Sequence, residues 1–157
     1  ICLFMIQRIQ TVYIVIAVML TLASLCLQIG YFNLEGLTVA REYNLWIIDE
    51  TGKCDFITWP LFAILVPSAA LGIYTVFAYN NRKSQARMCI FNVLLIVGWY
   101  ILYGVYSRVL PGDTVRQSDF VPTIFAAFPA LSALFYVLAN RGIVADERLV
   151  RAADRIR

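Results

Sequence analysis

The chain has 157 residues, 61% of them apolar and 15% charged, with 13 Lys and Arg against 10 Asp and Glu for a net charge of +3. A water-soluble domain of this length is nearer half apolar and a quarter charged, so the composition argues against a soluble globular fold. With no His, and Cys2, Cys26, Cys54 and Cys89 far apart, the usual zinc and haem ligand sets are excluded. No basic soluble domain is available for nucleic acid.

Four blocks carry no Asp, Glu, Lys or Arg: residues 9–30, 59–79, 88–106 and 120–139. At about 1.5 Å of rise per residue, roughly 20 helical residues cross a hydrocarbon core of about 30 Å. Lipid leaves backbone polar groups no outside partner, so each block must be helical. The sequence therefore predicts an all-α membrane protein with four transmembrane helices.

The first block follows Arg8 and is too long for a secretory h-region. Ala23-Ser24-Leu25-Cys26 faintly resembles a lipoprotein acceptor, but Leu25 is bulky where a small residue is needed. It reads as a retained span, with Met5 as the natural start and residues 1–4 as an upstream extension. In the loop that follows, residues 45–48 and 54–58 flank the turn-like Asp49-Glu50-Thr51-Gly52-Lys53, which predicts a small β-hairpin capping the bundle. Cys26 and Cys54 both lie toward that end, where a disulfide is chemically allowed; two buried free thiols is the plainer expectation.

The second span opens with Pro60 and contains Pro67, and the fourth opens with Pro122 and contains Pro129. The first proline of each pair suits a first helical turn, while Pro67 and Pro129 are expected to kink their spans. Both spans end in Asn-Arg, at Asn81-Arg82 and Asn140-Arg141, and the first and third begin alike at Gln7-Arg8 and Gln85-Ala86-Arg87. This predicts two tandem helical hairpins entering from the same side. In the third span, Asn92 calls for an interhelical partner. Trp99, Tyr103 and Tyr106 share one face, readable as an interfacial aromatic belt or as a lipid- or partner-binding face. Ser68 with Gly72, and Ala126 with Ala130, let helix backbones approach closely. Between spans three and four, Pro111-Gly112-Asp113 is a turn signal. After the fourth span the 140–157 tail is expected to include an amphipathic helix, with Leu149, Ala153 and Ile156 along one stripe among Arg148, Arg151, Arg155 and Arg157. Glu147 and Arg151 are spaced for an ion pair.

Orientation follows from the flanking charges. With both termini and the 80–87 loop on one side, that side holds nine of the 13 basic residues and three acids, and the other holds four basic residues and seven acids. The positive-inside rule places both termini in the cytoplasm.

No span carries an ionisable acid or base, which argues against ion or proton transport through the bundle. Nothing in the sequence forms a nucleophile–base pair, a phosphate loop or a carboxylate dyad, so no catalytic, metal or cofactor residues are assigned and an enzyme is not expected. Asp146, Glu147 and Asp154 read as intrahelical ion-pair partners of the arginines around them.

Three segments point to a family. They are Met5-Ile6-Gln7-Arg8-Ile9-Gln10-Thr11-Val12-Tyr13, Asn80-Asn81-Arg82-Lys83-Ser84-Gln85, and the ending Leu138-Ala139-Asn140-Arg141-Gly142-Ile143 with Asp146-Glu147 and Leu149-Val150-Arg151. Together they resemble an uncharacterised bacterial membrane family, domain of unknown function 4293, over nearly the whole chain. The resemblance implies a small four-span inner-membrane protein and carries no activity, cofactor or catalytic residue.

The resemblance also focuses attention on the cytoplasmic rim, where Gln7, Arg8, Gln10, Arg82, Gln85, Arg87, Arg141 and Asp154 are expected to form one Arg-rich polar surface. The candidate partner or lipid contacts are Arg8, Arg82, Arg87, Arg141 and Arg151, with Trp99, Tyr103 and Tyr106. The expected function is a non-enzymatic accessory or scaffold subunit of a bacterial inner-membrane assembly, bound to a membrane-protein partner or to itself. The alternative is a binder or carrier of a lipid or other hydrophobic molecule, acting as a homodimer.

Overall fold

The computed structural model of the chain describes residues 2–78, 81–109 and 118–154, with side chains described over 9–78, 81–108 and 118–152. It is 73% helical. Helices α1 (Cys2–Cys26), α2 (Trp59–Phe77), α3 (Arg82–Val109) and α4 (Phe128–Asp154) form a ring in which each packs on the next and α4 closes on α1. All four are long and apolar enough to cross a membrane. Only about a third or less of each candidate span is buried within the protein. The outward faces carry Met19, Phe77, Leu94, Ile101 and Leu134. Helices apolar on both their inner and outer faces are stable in lipid and not in water, and the chain is a multi-pass membrane protein.

Two of the predicted spans have different limits. Helix α1 stops at Cys26, and Gly30 opens strand β1 (Gly30–Leu34). Residues 120–122 belong to strand β5 (Asp119–Pro122), and a 3-10 turn over Ile124–Ala127 precedes α4. These apolar ends satisfy their backbone by strand pairing: Gly30 faces both Glu42 and Pro122, and Thr123 N–H donates to the Ile29 carbonyl at 3.0 Å. Pro129 consequently sits in the first turn of α4, where its missing N–H costs nothing, and is not the interior kink expected. Pro67 does lie inside α2, which runs through it without a break and turns it outward. The predicted tail helix is helical to Asp154, as a direct continuation of α4.

The cap is larger than one hairpin. Strands β2 (Leu37–Glu42), β3 (Ile47–Asp49) and β4 (Cys54–Asp55) join β1 and β5 in one antiparallel sheet ordered β4-β3-β2-β1-β5. The β3–β4 pair lies where the hairpin is predicted, with Phe56–Thr58 turning into a 3-10 helix in place of further strand. β1 and β2 are joined through Glu35 (φ 51°) and Gly36 (φ 88°). Two central residues in the left-handed region make the tight turn whose twist matches that of the flanking strands. β5 comes from the loop between α3 and α4, so the sheet ties both loops of this end together. The 110–117 part of that loop, including Pro111-Gly112-Asp113, lies outside the described residues.

Within the bundle, polar side chains bond between helices. Ser68 Oγ donates to Asn92 Oδ1 at 2.9 Å, the interhelical bond expected of Asn92. Ser132 Oγ reaches the Ala17 carbonyl at 2.8 Å and lies 2.8 Å from Thr21 Oγ. Gly72 is a point of close approach: a Cβ there would collide with the Tyr136 hydroxyl and lie 2.7 Å from Val18 Cγ2.

Candidate functional site

The junction between the sheet and the bundle gathers most of the aromatic and polar side chains at this end. Trp99 and Tyr103 stand one turn apart on α3, so their rings stack, with centroids 5.0 Å apart and planes 10° from parallel. Tyr100 meets both edge-on. The indole N–H of Trp99 donates to Asn44 Oδ1 at 2.8 Å, and Asn44 Nδ2 donates to the Ser24 carbonyl at 2.7 Å. One amide thus ties the chain after β2 to both α1 and α3. Tyr103 donates to the Ile29 carbonyl at 2.9 Å, Tyr100 to the Ala126 carbonyl at 2.6 Å and Thr58 to the Tyr43 carbonyl at 3.1 Å. Tyr106 is half-buried and packs toward Phe32, Ala40 and Ile47 of the sheet.

This placement corrects the reading of the aromatic stripe. Trp99 is wholly buried and Tyr103 nearly so, so neither reaches lipid or a partner from outside. The amphipathic rings face inward because the segments flanking the strands supply the hydrogen-bond acceptors, at Asn44, Ile29 and Ala126, that an interfacial belt would find in headgroups and water.

Beneath the sheet lies a group that the sequence reading counts as a loop charge. Glu42 is 0% exposed, and neither carboxylate oxygen has a hydrogen-bond partner among the described residues. Strand alternation puts it on the inward face with Ala40, while Arg41 points away. Removal from water disfavours the charged form, and burial pushes its pKa from 4.5 up to about 8. Period-two alternation through Ala40 and Glu42 is the signal that would have found it.

At the opposite end, Arg82 at the start of α3 pairs with Asp146 of α4, which is 2% exposed. Lys83 lies 3.9 Å from Glu147, and Arg151 pairs with Glu147 at 2.7 Å as the spacing predicts. Asp146 therefore bonds across helices and not within its own. Gln10 and Gln85 are buried, the latter donating to the Thr75 carbonyl at 3.2 Å. They belong to the packing; of the expected polar surface Arg87 and Arg141 are exposed, as is the candidate contact Arg151. The side chains of Gln7, Arg8 and Asp154, and Asn80 as a whole, lie outside the described residues.

The sequence profile of Domain of unknown function (DUF4293) matches residues 6–156. The chain belongs to this family. A search of curated proteins returns no match.

In this DUF4293 chain the segments that carry the family resemblance meet in space: Gln10 lies against Gly142, with its Cγ 3.0 Å from where a glycine Cβ would stand, and Arg82 holds Asp146. Cys26 and Cys54 are free and exposed, not buried, and Cys89 is buried. Among the described residues no three His, Cys, Asp or Glu side chains are grouped to hold a metal ion.

Proposed function

We propose that this DUF4293 chain is a non-enzymatic accessory or scaffold subunit of a bacterial inner-membrane assembly, with both termini in the cytoplasm and the sheet on the far side. The two hairpins α1–α2 and α3–α4 then enter the membrane from the same, Arg-rich side. The observation that carries this reading is the sheet itself. Sewn from both loops and pinned to α1 and α3 through Asn44, it is a fixed platform with a shallow hollow of about 420 Å³ on its outer face, bounded by Thr38, Arg41, Tyr43, Ile48 and Glu50. A hydrogen-bonded, polar-rimmed surface suits a protein partner, since little ordering is needed on contact. At the cytoplasmic rim, exposed Arg87, Arg141 and Arg151 offer cations to acidic groups on a neighbour or to anionic headgroups.

The test is purification in mild detergent after photo-crosslinking from Ile48 and from Arg141. A specific membrane-protein neighbour, or a second copy of the chain, is expected at one of the two positions. Migration only as a lone monomer from both would count against the reading.

A second reading, a binder or carrier of a lipid or other hydrophobic molecule, is favoured by a crevice of about 230 Å³ between α3 and α4. It is lined by Cys89, Ile90, Val93, Tyr136, Val137 and Asn140. Filling it with Val93→Trp should abolish co-purification of a bound hydrophobic molecule; unchanged lipid content would remove this alternative.

A further inference from the structure

Among the described residues no cation meets the buried carboxyl of Glu42, so it must carry its proton or leave its site, and leaving would move the cap. Its strand neighbours are Gly30 and Ile47. The ring of Phe120 covers Gly30, and a Cβ at Gly30 would lie 3.5 Å from Glu42 Oε2. The groups facing the carboxyl from β1, β3 and β5 are therefore uncharged. From α3 the ring of Tyr103 packs edge-on against Phe120, and its hydroxyl already donates to the Ile29 carbonyl. On Glu42's own strand, Arg41 is exposed on the other face.

The backbone around Glu42 is also what fastens the sheet. Its carbonyl accepts the Ile29 N–H at 2.9 Å, and two residues further on Asn44 holds Trp99 and the Ser24 carbonyl.

We propose that Glu42 is a proton-binding site that controls the seating of the sheet on the helix bundle. With the proton on, the neutral acid is tolerated under the sheet. When the carboxyl O–H gives its proton to water, the carboxylate that remains has no cation or donor in place among the described residues. It regains solvation only if β1 and β2 lift and water enters. Lifting draws Asn44 from Trp99, so the state of one carboxyl reaches α3. Burial pushes the carboxyl's pKa up to about 8, so a mildly alkaline medium would draw the proton off.

The experiment uses the full chain in phosphatidylcholine nanodiscs, with Trp46→Phe and Trp59→Phe leaving Trp99 as the fluorophore. Its emission should move to the red as pH rises from about 6 to about 9.5, with a midpoint near the Glu42 value. Glu42→Gln should hold the emission at its low-pH position throughout, and Tyr103→Phe should keep the transition. A transition that survives Glu42→Gln, or is lost in Tyr103→Phe, overturns the proposal. Should Glu42→Gln not fold, infrared difference spectra of the unmodified protein with isotope-labelled glutamate decide instead. A protonated glutamic-acid carbonyl band present at neutral pH and lost at alkaline pH is expected; its absence at neutral pH overturns the proposal.

Discussion

Asn44 and Trp99 meet across 2.8 Å although 55 positions separate them in sequence. That bond joins a chain segment just past strand β2 to the middle of a membrane helix, and both partners are wholly buried. Asn44→Ala would leave the indole N–H and the Ser24 carbonyl without partners in a dry site, at a cost of about 1–3 kcal/mol for each orphaned group. We expect a lower midpoint in detergent unfolding for Asn44→Ala, and a smaller loss for Trp99→Phe, which leaves the Asn44–Ser24 bond in place. Equal stability of the two variants would show that the Asn44–Ser24 bond contributes nothing.

Gly72 and Gly98 should respond in opposite ways to the same change. At Gly72 an added methyl meets Val18 and Tyr136, whereas nothing lies within 4 Å at Gly98. Gly72→Ala should destabilise by about 1–3 kcal/mol through overpacking. Gly98→Ala, in an outward-facing helical position, should be neutral or stabilise by up to about 1 kcal/mol. Thermal unfolding of the two variants side by side checks the contrast.

The Arg82–Asp146 pair links the start of α3 to α4, with Asp146 almost fully buried and Arg82 31% exposed at the side chain. Removing Arg82 strands a buried carboxylate, so Arg82→Ala should destabilise by about 2 kcal/mol. Adding Asp146→Ala should restore part of that loss. A double-mutant cycle reads the coupling, and strictly additive losses would show that the pair does not bind the helices together.

Glu42 gives stability a definite pH dependence. Burial pushes the pKa of the carboxyl from its ordinary 4.5 up to about 8 in the folded protein. Between these values the folded state holds a proton that the unfolded state has released. Its contribution is fully present below pH 4.5 and falls as pH rises to about 8, by about 1.4 kcal/mol per pH unit. Above that the curve levels off. Equilibrium unfolding at stepped pH should show this decline in the native protein and a flatter curve in Glu42→Gln. Identical slopes in the two would remove Glu42 as its source.

The four helices are legible in the sequence because a run of roughly 20 residues without charge has one use. Their ends are less so. Leu27, Gln28, Ile29 and Gly30, like Phe120, Val121 and Pro122, look like more of the same apolar helix, yet their backbones pair with strands far along the chain, which no local pattern announces. The turn at Glu35-Gly36 is a readable hairpin signal, since glycine follows one residue after an alternating run. The inward face of β2 is readable too, by alternation, and it carries Glu42. Trp99 and Tyr103 are recognisable as an aromatic face of α3, but which side that face addresses depends on the segments flanking the strands, whose acceptors come from Asn44 and Ile29. Asn92 finds the interhelical partner that its depth demands. The Arg82–Asp146 contact depends on how α3 and α4 are aligned along their lengths, and sequence spacing within one helix points to the wrong partner.

The position of β5 has a consequence for how the protein is made. β1 leaves the ribosome early, yet the strand that completes its second edge follows α3 and is synthesised only after the first three helices. Until then β1 presents a row of unfilled backbone donors and acceptors, a ready template for wrong pairing. Premature termination after α3 should therefore leave a product prone to self-association, and the nascent cap can close only once the segment before α4 has been made.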